Sequence, residues 1–181
     1  MADAEIPVLI LSPEYHIAIG VITVNGAIMD QLVDTAIWMV TALPPERGQT
    51  ITKLLVSTAR KIDFLRDLVQ PMFENDKIKT DFHNVYSKLK SAQANRSKIV
   101  HAKWVVKHSD QSIHIEVPAS NETLPVIESM PLSRLQHYGS EIATAHKSLE
   151  DFFLQAEIKP DTTGHHTWPP RFEGRSYREK K

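Results

Sequence analysis

No cysteine occurs in the 181 residues, which excludes disulfide scaffolds, thiolate metal sites and cysteine nucleophiles together and makes a cytoplasmic address the simplest expectation. The first 46 residues contain no lysine or arginine, so the basic start of a signal peptide is missing and none is expected. Long charge-free apolar stretches are scarce too. The longest, Tyr15 to Met29, lies between Glu14 and Asp30 and includes His16, Asn25 and two glycines. That is short and polar for a bilayer span, and no membrane association is expected. The sequence has no glycine-rich phosphate loop, nucleophile elbow, metalloprotease helix motif or internal repeat. Neither a cofactor nor a bound metal is expected.

What is present fits one domain over residues 1–158, long enough to bury about two thirds of its unfolded surface. From Lys159 onward the composition turns to proline, glycine, histidine and basic residues with few aliphatics, so 159–181 is expected to be a disordered tail. The formal net charge of −1 conceals a strong segregation. Residues 1–46 carry −6; residues 47–107 hold thirteen Lys/Arg against five Asp/Glu, or +8; residues 108–157 carry −6 and residues 158–181 carry +3. Either one face of the fold is basic, or neighbouring helices of opposite sign attract one another.

Hydrophobic periodicity predicts four helices. The first, from Glu14 to about Leu43, is apolar on more than one side: Ile17, Val21, Val24, Ile28 and Leu32 fall on one stripe, and Ile22, Val33, Ile37 and Val40 on others. An arc that wide exceeds what one core covers, and a homodimer is expected. The second is predicted over Gln49 to Val69 with Leu54, Leu55, Ala59, Ile62, Leu65 and Leu68 facing inward, and ends at Pro71. The third opens near Ile78, where Ile78, Phe82, Val85, Leu89 and Ala92 follow at helical spacing. Trp104–Val106 and Ile113–Val117 then read as a hairpin, and Leu132 to Ala156 as the last helix. An antiparallel four-helix bundle with a small β-hairpin after the third helix is the predicted, mainly α, architecture.

Continuing the apolar steps of the third helix lands on Arg96 and then Ile99. An arginine directed at a core seam must be paired, must snorkel, or must line a cleft. His101 follows five residues later, at the expected helix end. An Arg and a His at such spacing arise about once by chance in this composition, so the placement carries the weight rather than the spacing.

That placement resembles the HEPN superfamily, helical bundles whose Arg-(Asn/Asp/His)-x3-His motif lies near the end of a helix. The residues that carry the resemblance are Arg96, Ser97, His101, Ala102 and Trp104 within the helix order of residues 14–157. Ser97 stands where the family usually has Asn, Asp or His, although Asn95 precedes the arginine; Ala102 stands where many members have glycine. Family toxins silenced by nucleotide addition carry His-x-Tyr, and here that place is Lys103. The resemblance implies a metal-independent endoribonuclease of toxin or defence type, acting as a homodimer with a composite site. Its alternative implication is a non-catalytic nucleic-acid-binding, protein-interaction or dimerisation module. An antitoxin or regulatory protein is a further possible partner.

The residue types suit cleavage of RNA by its own 2′-hydroxyl. An imidazole with an ordinary pKa near 6.5 is able to take the hydroxyl proton. A guanidinium matches two phosphoryl oxygens and stabilises charge that grows between them. The expected catalytic set is therefore Arg96 and His101 with Ser97 and Asn95 in support, and Lys90, Lys98, Lys103 and Lys107 are expected to position phosphates. The purely structural alternative pairs Arg96 with Asp30 or Asp34 of the first helix and has His101 cap the helix end. His165 and His166 in the tail are a weaker metal candidate, and His108 and His114 flank the predicted hairpin turn.

Overall fold

The computed structural model describes residues 11–107, 112–117 and 126–156. His108 and residues 159–181, with His165 and His166, lie outside these. The fold is mainly helical: α1 (Pro13–Thr41), α2 (Pro45–Leu54), α3 (Thr58–Val69) with a 3-10 turn at Gln70–Met72, α4 (Asp76–Val100) and α5 (Leu132–Gln155). A small antiparallel sheet, β1 (Lys103–Val106), β2 (Ile113–Val117) and β3 (Val126–Ser129), connects α4 to α5 with β2 in the middle.

Helix α1 is the hub. It packs against α5, α3, α2 and α4, and α4 packs in turn against α5 and α3. Neither Gly20 nor Asn25-Gly26 interrupts it; Pro13 opens it, where a missing N–H costs nothing, and Ala42 closes it in the left-handed conformation at φ 50°. By length and composition alone α1 is able to cross a membrane, its most apolar 18-residue window having a mean hydropathy of 1.4. Only 28% of that window is buried. The exposed part includes a stripe, since Ile17, Val21, Val24 and Ile28 are 67, 45, 59 and 41% exposed.

The predicted second helix is two helices. Pro45 does not delay the start, because proline at the first helical position is preorganised for it, so α2 begins four residues earlier than Gln49. At the other end Leu55 leaves helical geometry at ψ 79°, and Ser57, in extended backbone, restarts the chain by accepting a hydrogen bond from the Arg60 N–H. This corner turns Leu54, expected inside, out to 74% exposure. Leu55 goes inward instead and packs on the core. Gly48 lets α2 lie on α1, because a Cβ there would overlap the Trp38 ring, whose Nε1–H donates to Thr52 Oγ1 at 3.4 Å.

Helix α4 follows its prediction: Ile78, Phe82, Val85, Leu89, Ala92 and Ile99 are all buried. So does α5, which buries Leu135, Ile142, Ala145, Leu149, Phe152 and Phe153. The hairpin has a third strand the sequence reading missed. Val126-Ile127-Glu128-Ser129 pairs with β2 from Val117↔Val126 to His114↔Ser129, yet its alternation is faint because Val126 and Ile127 are both exposed. The buried Ile115 faces Trp104 across the first pair and seats the sheet on the helices.

Candidate functional site

The last two turns of α4 hold the expected residues. Arg96 points at α1, and its stem lies over Gly26: a Cβ at that glycine would overlap Arg96 Cδ and Nε. The Nε–H is buried without an acceptor, and among the described residues the guanidinium makes no hydrogen bond or ion pair. Neither aspartate of α1 reaches it. Asp30 and Asp34 are both taken by Lys61 of α3, at 3.2 and 2.8 Å, and Asp30 also accepts from Thr58 Oγ1 at 2.9 Å. Desolvation works to lower the Lys61 pKa, but the hydrogen bonds and charges of Asp34 and Asp30 outweigh it, so the ammonium is held above its ordinary 10.5.

Asn95 does not face the same way as Arg96. Its Nδ2 donates to Glu141 Oε2 of α5 at 2.8 Å, and the other oxygen of Glu141 lies 3.5 Å from His137 Nε2. A cleft of about 320 Å³ between α4 and α5 is lined by these last two residues with Lys88, Ser91, Ser140 and Thr144. His101 is the C-cap of α4. Its backbone N–H donates to Ser97 O at 3.1 Å, while its ring is exposed. The cap is therefore made by the main chain, which leaves the imidazole for other work.

The four lysines expected to position phosphate fare differently. Lys90 binds both oxygens of Asp63 at 3.0 Å, Lys98 both oxygens of Glu128 at 2.6 Å, and Lys103 binds Glu116 at 2.9 Å. Desolvation works to raise the Asp63 pKa, but hydrogen bonds from Lys90 and Tyr86 prevail and hold it below 3.8. Only Lys107 is exposed and without a side-chain partner among the described residues. The charge segregation of the sequence joins elements where its segments meet, α1 to α3 through Lys61 and α4 to β3 through Glu128, while Asp63 and Lys90 pair within the basic segment.

No family model, curated protein or solved structure matches the chain. What the arrangement is able to do must come from its geometry. Together these residues present an unpaired, half-buried cation and, five residues on at the helix end, an exposed imidazole, on a helix where Lys90 and Lys98 are ion-paired and Lys88 meets only the Ser148 hydroxyl among the described residues. Within the described residues no group of three or more His, Asp and Glu is placed to hold a metal ion. Sequence reasoning overlooked the pairing of Asn95 with Glu141, because the two lie 46 residues apart on different helices and local spacing does not encode the contact.

Proposed function

We propose that the chain is a HEPN-like interaction module, with α1, α3, α4 and α5 as an antiparallel four-helix bundle, that self-associates through α1. One observation carries this reading: Ile17, Val21, Val24 and Ile28 stand exposed at spacings of four, three and four on a helix without charge from Tyr15 to Met29. That is the spacing of a helix–helix seam. The two-fold copy of a neutral apolar stripe is its own complement, with no like charges to bring together. Sedimentation of the purified chain at micromolar concentration tests it. A dimer mass is expected, and a monomer would remove the reading.

A second reading, a metal-independent endoribonuclease, is favoured by the state of Arg96 and His101. A buried Nε–H without an acceptor is unstable ground for a protein to keep, and a phosphoryl oxygen would satisfy it. In that reading Arg96 binds and polarises the phosphate, and His101 exchanges the proton of the 2′-hydroxyl, with Ser97 in support and Asn95 holding α4 to Glu141 of α5 instead. Incubation with structured and single-stranded RNA in EDTA decides between the two. Cyclic phosphate ends in the wild type, lost in Arg96→Ala and His101→Ala, establish cleavage; RNA left intact by folded protein leaves the interaction module.

A further inference from the structure

The corner between α2 and α3 carries a second feature, independent of Arg96 and of any family resemblance. Leu54 is 74% and Val56 85% exposed, the two most exposed large aliphatics among the described residues. Between them Leu55 is anchored on the core, so the two side chains project from a fixed base. From Arg47 to Arg60 the chain holds Arg47, Lys53 and Arg60 and no Asp or Glu. All three basic side chains are exposed, and none has an ion-pair partner among the described residues. The charges next along the chain do not cancel them: Lys61 is matched by Asp30 and Asp34, Asp63 by Lys90, and the exposed Glu46 is one charge against three.

We propose that this corner is a contact site for an anionic lipid surface. Two highly exposed aliphatic side chains stand in a stretch whose charges are all cationic and exposed, the combination that inserts between headgroups while its charges stay at their level. An RNA backbone would use the cations and gain nothing from Leu54 and Val56. A protein partner would need a pocket shaped to two separate projections, whereas a bilayer accepts them in any register. The contact requires no span, so it departs from the expectation of no membrane association without invoking α1.

The test is sedimentation of the full chain with vesicles of pure phosphatidylcholine and of phosphatidylcholine with 30% phosphatidylglycerol. Wild type is expected to bind the anionic vesicles, and to release them in high salt. The triple variant Arg47→Gln/Lys53→Gln/Arg60→Gln should bind about 100-fold more weakly, at about fivefold per charge removed. Leu54→Ser/Val56→Ser should weaken binding at least about tenfold with its charge intact. The substituted side chains are all exposed, so circular dichroism of each variant should match wild type. No binding of folded wild type to anionic vesicles overturns the proposal. So does binding that both corner variants retain, which would assign the contact to another surface such as α1.

Discussion

At the scale of the residue, Arg96 is the point where folding and function pull apart. The periodicity of α4 calls for an apolar side chain there, and the structure gives that position a stem packed on Gly26 and an Nε–H with nothing to bind. If stability were all that mattered, methionine would serve better, since it has similar helix propensity and no donor to strand. Arg96→Met is therefore expected to raise the unfolding free energy by about 1 kcal/mol in urea titrations. A loss of similar size would show the guanidinium to be part of the packing. Gly26→Ala examines the same contact from the other side. The new methyl must displace the arginine stem at a cost of about 1–3 kcal/mol, partly offset by about 1 kcal/mol of helix propensity. In Gly26→Ala/Arg96→Ala the obstacle is gone, so the double variant should be more stable than the two single changes added together. Simple additivity would mean that the stem moves aside freely.

At the scale of the element, two joints hold α1 to its neighbours. Gly48 admits the rigid Trp38 ring, which cannot retreat without giving up its hydrogen bond to Thr52, so Gly48→Ala should destabilise by about 2 kcal/mol despite its better propensity. Thermal unfolding that showed no loss would mean that α2 is docked loosely. The second joint is Lys61 between Asp30 and Asp34. A lysine whose folded pKa is raised contributes stability that is fully present below its unfolded value near 10.5 and disappears as pH climbs through the folded value. Wild type should thus lose stability more steeply than Lys61→Met above about pH 10.5. At pH 7 Lys61→Met should itself cost about 1–3 kcal/mol, less than a fully buried pair because Asp30 keeps some access to water. These elements differ in how plainly the sequence announces them. Helices α4 and α5 were legible because every apolar step of one face is buried. The α2–α3 corner was not, since Leu54 and Leu55 read alike until backbone geometry sends one out and the other in. Strand β3 lacks an alternating apolar face, and its pairing with β2 is long-range. In the candidate site, Arg96 stood out by breaking a pattern. That Lys61 rather than Arg96 would take the aspartates depended on which helix lies over which face of α1, and one-dimensional spacing does not encode it.

At the scale of the whole molecule, the two readings of function make opposite demands on the same helix. Counting about 100° per residue, Gly26, which receives Arg96, lies roughly 170° around α1 from the centre of the Ile17–Val21–Val24–Ile28 stripe. A dimer joined along that stripe puts two α1 helices between the two Arg96 side chains, about 20 Å or more at the usual helix diameter. Such a dimer cannot merge two Arg96–His101 pairs into one site, so each protomer must use its own. Two measurements follow. Val24→Lys should weaken the dimer at least about 100-fold in sedimentation equilibrium, from two lost valine contacts and two charges set face to face, while helicity is unchanged because Val24 is 59% exposed. If the protein cleaves RNA, mixing Arg96→Ala with His101→Ala chains should restore no activity, because neither chain completes the other. Restored activity would require a composite site built through a different surface, and Val24→Lys would then leave both the dimer and its cleavage intact.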